Sequence, residues 1–336
     1  MSIAQRVQYY RRIFPAYLTG SQSHLTFWHD QPQENLYLSK EKLGGYYMNF
    51  PQKAEYAAHR NAAGIPMLDY QGKIGLHYNP IAIAQWGLGN YNLFHERKSL
   101  SEEKSESRNH ECRQKFVAAS DWLCTNLEQN GSGIWVWNHH FGWEYRTTLK
   151  APWYSALAQG QGISLLVRGH AETGDSKYLD AAERAFTSFL RSTTEGGVTF
   201  VDQKGNTWFE EYIVSPPTHI LNGFIWAAWG VWDYFLATKD SAAAKLYDAA
   251  VQTLRANLSR YDLGWWSLYE QSGTALPMVA SSFYHRLHIV QLRVMYRLTG
   301  DKLFADYAGR WQEYSASWSK RVRALCYKSV FKLCYY

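Results

Sequence analysis

The stretch Thr173-Gly174-Asp175-Ser176-Lys177-Tyr178-Leu179-Asp180-Ala181-Ala182 returns later in the chain as Thr299-Gly300-Asp301-Lys302-Leu303-Phe304-Ala305-Asp306-Tyr307-Ala308. Between the two, Thr238-Lys239-Asp240 leads into Ala243, Leu246, Tyr247, Ala249 and Ala250. The three threonines lie 65 and 61 residues apart, so a unit of roughly 60 residues repeats. Each Asp stands where a helix N-cap is wanted, shortly before an apolar stripe begins. A fainter copy starts near Ser107, where Cys112, Phe116, Ala119 and Leu123 mark one helical face. Two helices and their connections fill such a unit. Pairs repeated with one handedness curve into an incomplete α/α toroid of about four pairs, with the inter-helix loops at one end forming a cleft. An ordinary helical bundle with a chance likeness between helix starts is the alternative.

Working outward, the helical pattern begins at Pro80, with Ile81, Ala84, Gln85 and Leu88 at helix-face spacing. Residues 1–79 read differently. They hold short aromatic runs, Leu36-Tyr37-Leu38 and Gly45-Tyr46-Tyr47-Met48-Asn49-Phe50, broken by Gly and Pro, which predict β-hairpins packed on the helical part. The expected division is therefore an N-terminal region over 1–79, an α/α toroid over 80–318 and a basic tail over 319–336. In that tail Lys320, Arg321, Arg323, Lys328 and Lys332 are interleaved with Tyr327, Phe331, Tyr335 and Tyr336 without an acid. A solvated C-terminal helix is the plainer reading of it. A basic amphipathic segment meeting anionic lipid or glycan is the other.

The 336 residues include 15 Trp, 25 Tyr and 15 Phe, enough for a large core and for aromatic faces that cover the C–H face of a pyranose ring. The net charge of +6, from 35 basic and 29 acidic residues, suits an anionic partner without locating a patch. Cys112, Cys124, Cys326 and Cys334 are spaced for neither a zinc site nor a dense disulfide framework, so reduced thiols and a cytoplasmic protein are expected. Met1 to Gly20 lacks the continuous apolar segment of a secretory signal. The run Ile220 to Leu236 carries Asn222 and Asp233, too polar and short for a bilayer span.

No phosphate loop, Rossmann glycine pattern, HExxH or G-x-S-x-G occurs. His139-His140 and the pair His285 and His288 are isolated, with no third metal ligand evident, so neither metal nor cofactor is expected. What remains lies at helix junctions: Trp153-Tyr154-Ser155 through Gln159-Gly160-Gln161-Gly162, Trp208-Phe209-Glu210-Glu211-Tyr212, and Ser282-Phe283-Tyr284-His285. Adjacent residues of an extended segment point opposite ways, so at most one of Glu210 and Glu211 is expected to face a substrate.

Four blocks together carry a family likeness: Tyr78-Asn79-Pro80 through Leu88, Trp153 through Gln161, Glu210-Glu211-Tyr212 followed by Leu221-Asn222-Gly223-Phe224, and Tyr284-His285 through Leu292. In order and content they resemble the heparosan D-glucuronyl C5-epimerases in a compact bacterial form, from about Gly45 to Trp311. The resemblance implies removal of the C5 proton of a glucuronate residue and its return on the opposite face, giving iduronate. It implies Tyr212 as one acid/base, with Glu211 as alternative or activator, Tyr284 as the group for the other face, and Tyr269 as a third functional tyrosine. After Tyr269 the pattern departs: the animal-type motif continues Asp-Leu-Arg-His, whereas this chain reads Glu270-Gln271-Ser272-Gly273. The carboxylate-binding arginine is then sought in Arg286 or Arg146. Tyr46, Gln85, Trp153, Tyr154, Gln159, Asn222, His285 and His288 complete the expected binding set. The implied partner is an acidic glucuronate polysaccharide rather than nucleic acid, with peripheral membrane contact through the tail and a homodimer as further candidates. A lyase sharing the C5 step, a hydrolase built on Glu211, and a non-catalytic glycan-binding subunit are the rivals.

Overall fold

The computed structural model describes residues 27–29, 31–70, 72–98, 106–145 and 147–335. The chain divides into two compact units. Of the described residues, those within 35–219 and 223–254 form the larger, and those within 220–222 and 255–335 with those up to Glu34 form the smaller.

Nine long helices run through the described residues: α1 (Pro80–Lys98), α2 (Glu106–Thr125), α3 (Ala156–Thr173), α4 (Ser176–Phe186), α5 (Leu221–Thr238), α6 (Ser241–Asn257), α7 (Ser282–Thr299), α8 (Lys302–Ala316) and α9 (Trp318–Tyr335). The protein is mainly α, as the repeat predicts, and successive helices pair: α1 with α2 and α3 with α4 in the larger unit, α7 with α8 in the smaller. The predicted caps form. Asp175 accepts from Lys177 N at 3.0 Å, Asp240 from Ala242 N at 2.7 Å, and Asp301 from Leu303 N at 3.0 Å.

The preceding threonines add a bond that pattern reading did not anticipate. Thr173, Thr238 and Thr299 each donate back to the carbonyl four residues earlier, at 2.7, 2.8 and 2.7 Å. Each also accepts from the amide of its Asp, at 3.2, 3.1 and 3.1 Å. One hydroxyl thus closes the outgoing helix and positions the cap of the next. The residue between them is left-handed in all three copies: Gly174 at φ 73°, Lys239 at φ 60° and Gly300 at φ 74°. Glycine adopts this without a Cβ clash, and Lys239 bears the strain in its copy.

Two glycines bring α3 and α5 of the larger unit into backbone contact. A Cβ on Gly160 of α3 would lie 2.6 Å from the Cα of Ala227 in α5, and one on Gly230 would fall on the carbonyl of Gly160. The backbones therefore touch, which no larger residue permits.

The regular strands are short. The larger unit has four antiparallel pairs: Leu68–Asp69 with Leu76–His77, Glu128–Gln129 with Trp135–Val136, Trp143–Glu144 with Thr148–Leu149, and Thr199–Val201 with Thr207–Phe209. The hairpins predicted on the aromatic runs are largely replaced by irregular chain. Leu36 and Tyr37 form an exposed turn. Tyr46, Tyr47, Met48 and Phe50 are buried, yet only Met48–Asn49 is strand. Asparagine side chains supply what a partner strand would: Asn92 accepts from Tyr46 N at 2.6 Å and donates to Met48 O at 3.0 Å, and Asn35 donates to Tyr46 O at 2.8 Å. These side-chain bonds satisfy backbone polar groups around the short strand.

The core of the larger unit holds a charge pair. Arg168 donates to both carboxylate oxygens of Asp233, at 2.6 and 3.1 Å, and through Nε to Gly44 O at 3.0 Å, while Tyr47 donates to Asp233 at 2.7 Å. Asp233, which marks the run 220–236 as no membrane span, is buried here with its counterion. No helix among the described residues is long and apolar enough to cross a membrane. Removing one member strands the other in a low-dielectric interior. Arg168→Met is expected to lower unfolding free energy by about 3–5 kcal/mol, and the added Asp233→Leu change to recover part of that. Urea unfolding of both variants checks this, and a single variant as stable as wild type would remove the pair from the account.

Candidate active site

Within the larger unit, the segment Thr207–Phe209 runs into Glu210, Glu211 and Tyr212, and Glu210 O accepts from Ala156 N at 2.9 Å, joining this segment to the start of α3. Both carboxylates are buried. They part company as the extended geometry predicts. Glu210 turns to His219, whose Nδ1 lies 2.5 Å from Oε1 and whose backbone N–H donates to Oε2 at 3.2 Å. His219 is stacked on Trp208 at 4.2 Å and sits at φ 49°, a left-handed conformation sustained by this clamp.

Glu211 turns the other way, into hydrogen bonding with Tyr212. Its carboxyl occupies the space beside Gly223, in the first turn of α5: a Cβ on Gly223 would fall on Glu211 Oε2 and lie 2.9 Å from its Cβ. Burial pushes Glu211 up to about 8; the bond to Tyr212 opposes the rise and the nearby Glu210 charge adds to it. Helix-start amides favour an anion by only about 0.3–1 kcal/mol. Desolvation outweighs that, so near neutral pH the group is mainly a carboxylic acid, and its ionised, proton-accepting form grows as pH approaches about 8.

Tyr212 is half-buried in an aromatic shelf, its ring 4.5 Å from Tyr145 and 5.6 Å from Trp153. Trp153 stacks face to face on His139 at 3.8 Å and donates through Nε1 to Phe141 O at 2.8 Å. Tyr70 extends the shelf, 4.7 Å from Phe141. The backbone of His139 bridges that of Trp153, and its Nδ1 meets Trp153 O at 3.2 Å. A carbonyl only accepts, so Nδ1 is assigned the proton and Nε2 the lone pair. Burial pushes His139 down to about 3, so it stays neutral. Tyr154, beside Trp153, is half-buried and hydrogen-bonded to Asn130.

In the smaller unit, Tyr269 and Tyr284 meet edge to face at 4.8 Å. Ser281 caps α7 by accepting from Tyr284 N at 3.3 Å, which places Tyr284 in its first turn. Arg286 folds back on the same turn, donating to Ser282 O at 3.3 Å and Ser282 Oγ at 3.0 Å. Leu221 N donates to Tyr269 O at 3.1 Å, and Gln291 Nε2 to Asn222 O at 2.9 Å.

His285 and His288 are fully buried and joined through Ser267. His285 Nε2 meets Trp311 O at 3.0 Å, so its Nδ1 accepts, from Ser267 N at 3.2 Å and Ser267 Oγ at 2.7 Å. His288 Nδ1, 3.1 Å from the same hydroxyl, then donates to it. Burial drives His285 down to about 3 and His288 well below its usual range. Both are neutral struts.

Several expected binding residues thus serve the interior. Gln159 Nε2 shares its two N–H groups among Trp135 O, Ala185 O and Ser188 Oγ, and its Oε1 accepts from Trp137 N, which uses its whole amide inside the larger unit. Gln85 accepts from Lys53 Nζ at 2.5 Å and donates to Gln161 at 3.0 Å. Tyr46 is 0% exposed, packed against Arg168 and Trp229. Arg146 lies outside the described residues. Tyr145, His139, His219 and the close fit at Gly223 were not predicted as site features, and only Gly223, within a quoted block, carried a sequence signal.

The folded-state pKa of Glu211 lies above its unfolded value, so the native state holds this proton more tightly between about 4.5 and about 8, and stability falls as pH rises through that window. Glu211→Gln removes the loss. Its melting temperature is expected to match wild type near about pH 5 and to exceed it increasingly towards about pH 8; a pH-independent difference contradicts the buried acid. Gly223→Ala is a second check. Alanine raises helix propensity by about 1 kcal/mol, yet its Cβ must displace the Glu211 carboxyl, so turnover should fall without a comparable loss of melting temperature.

Residues 129–313 match the family model described as D-glucuronyl C5-epimerase C-terminus. The chain is 34% identical over 224 residues to D-glucuronyl C5-epimerase of Caenorhabditis elegans, covering 62% of this chain and 36% of that protein. It is 28% identical over 201 residues to an uncharacterized protein of Methanocaldococcus jannaschii, covering 59% and 64%. It therefore spans about a third of the first relative and under two thirds of the second. Among solved structures it is similar to the unsaturated glucuronyl hydrolase of Bacillus sp. GL1, at 15% identity and TM-score 0.41 over 73% of this chain and 61% of that one. It is also similar to a glycoside hydrolase family 76 mannosidase of Bacteroides thetaiotaomicron, at 12% identity and TM-score 0.49 over 79% and 68%. Glu211, Tyr212, Tyr269 and Tyr284 all fall within the 129–313 match, which covers more than half of the chain, and the chain belongs to the D-glucuronyl C5-epimerase family.

Proposed function

We propose that this protein is a uronate C5-epimerase that converts D-glucuronate to L-iduronate residues within a heparosan-like polymer. The observation that carries the reading is the buried Glu211 carboxyl hydrogen-bonded to Tyr212 at an aromatic shelf, within the family-matched segment.

The C5 proton is adjacent to a carboxylate and is a poor acid, so its removal needs a base stronger than a free carboxylate and a place for the charge to go. Tyr212 answers the first need. Transfer of its phenol proton to ionised Glu211 leaves a phenolate, which takes the C5 proton as the C5–H electron pair moves into the substrate carboxylate as an enediolate. Against an ordinary phenol near 10, a partner at about 8 makes that transfer far less uphill than a carboxylate near 4.5 would. Tyr284 is proposed to return a proton from its phenol to C5 on the opposite face, on the residue-by-residue resemblance. The shelf of Tyr145, Trp153 and Tyr70 offers apolar faces for the sugar ring. Arg286 remains the proposed partner for the uronate carboxylate. An acidic glucuronan partner, a homodimer and peripheral membrane contact stand as proposals beside the reaction.

Unsulfated heparosan incubated with the protein in deuterated water should gain deuterium at C5 and accumulate iduronate. An unsaturated, ultraviolet-absorbing product would identify a lyase, new reducing ends a hydrolase, and binding without exchange on any glucuronate polymer a non-catalytic subunit. Tyr212→Phe and Tyr284→Phe should each lower exchange by about 100-fold or more with the fold intact. Only ionised Glu211 accepts the Tyr212 proton, so exchange in wild type should rise with pH towards a plateau above about 8. The rise should be lost in Glu211→Gln.

A further inference from the structure

The C-terminal helix α9 begins five residues beyond the family-matched segment, which ends at residue 313, and within the smaller unit it bonds to the loop that follows Tyr269. That loop spans Glu270 to Pro277 and is closed at its base by backbone bonds. Tyr269 N donates to Met278 O at 2.8 Å, Leu268 bridges Val279, and Ala280 N donates to Ser267 O at 2.9 Å. The indole of Trp266 adds a bond to Ala280 O at 2.9 Å.

Four residues of α9 touch this region, among them Arg323, whose guanidinium lies 4.3 Å from the Trp265 ring centroid. Lys328 donates to Val279 O at 2.8 Å, Tyr335 OH accepts from Leu276 N at 3.4 Å, and Tyr327 lies 5.7 Å from Trp265. Lys328 is only 7% exposed, among the buried Ala324, Leu325 and Phe331. An ammonium here is costly compared with an unbranched apolar side chain of similar length, which would pack the same face without desolvating a charge. Burial pulls Lys328 down to about 7 and pushes Glu270 up to about 7, while each partly offsets the other's shift through its charge. Glu270 also bonds Ser272 across the turn of the loop. Lys328 Nζ thus ties α9 to the carbonyl of Val279, just beyond the loop's end.

We propose that Lys328 is a positioning residue: from the C-terminal helix it holds the carbonyl of Val279, fixing the base of the loop that sets Tyr269 against Tyr284. The proposal rests on the reading of these tyrosines as site residues. It gives the basic tail a place in the framework of the site, and it lies where Glu270-Gln271-Ser272-Gly273 departs from the animal-type pattern.

The test is Lys328→Met in the full chain, which keeps side-chain length and removes donor and charge. Amide hydrogen exchange should show the protection of Tyr269 and Ala280 falling about tenfold, the equivalent of one lost hydrogen bond, with the central amides of α7 unchanged. C5 deuterium exchange on heparosan should lose about 10- to 100-fold in kcat with KM within about twofold, as misplacement without lost binding requires. Unchanged protection overturns the proposal, and so does loosened protection with normal kcat. A wild type without exchange activity refutes the reaction while the amide measurement still decides the clamp. If the Met variant does not fold, Lys328→Gln repeats the measurement; failure of both to fold would mark a general structural role and overturn the positioning role.

Discussion

The larger unit depends on the contact between Gly160 and Gly230, where α3 and α5 cross with no side chain between their backbones. A Cβ at either position would force the helices apart, an overpacking that costs about 1–3 kcal/mol and shifts both helix starts. Those starts build the site. Ser155 caps α3 by accepting from Ala158 N at 3.0 Å, and the amide of Ala156 holds Glu210 O. Gly223, in the first turn of α5, leaves the space that Glu211 fills. The crossing therefore fixes, through two helix termini, where the segment from Glu210 to Tyr212 lies and how tightly its second carboxyl is enclosed.

Within that enclosure two adjacent glutamates acquire different chemistry from their partners alone. Glu210 faces a histidine and a backbone amide, both able to donate to an anion. Glu211 bonds the Tyr212 phenol beside Gly223, and burial is the largest influence on its protonation state. The aromatic shelf completes the surroundings with rings whose faces offer apolar contact to a sugar.

Much of the helical frame was legible because its signals are local. The aspartate caps, and the apolar face of Cys112, Phe116, Ala119 and Leu123 on α2, arise from neighbours three or four residues away. Lys239 in a left-handed position was not legible, since only the folded turn shows that it takes the place held by Gly174 and Gly300 in the other copies. Of the N-terminal aromatic runs only Met48–Asn49 is strand, for a related reason: Asn35 and Asn92 satisfy part of that backbone from a distance, and no local pattern shows a distant side chain doing so. At the site, Glu211 with Tyr212 and the pair Tyr269 and Tyr284 were found through recognised blocks. Gln159, His285 and His288 lay in the same blocks but bond to the protein itself, and residue type alone does not say whether a hydrogen bond goes to substrate or to backbone. Tyr145 and His139 reach the shelf only after the chain between Glu128 and Trp153 folds back on itself. In the tail, Ala324, Leu325, Lys328 and Phe331 share one helical face, so the burial of one lysine could have been anticipated where solvation or a membrane was read instead.

The account stands on a neutral carboxylic acid at Glu211. Difference infrared spectroscopy of wild type against Glu211→Gln isolates the carbonyl stretch of that single protonated carboxyl and follows it with pH. The structure predicts a band present near neutrality that disappears with a midpoint near 8. Absence of the band at about pH 6, well above the range of an ordinary glutamate, would mean an ionised side chain and would contradict the account.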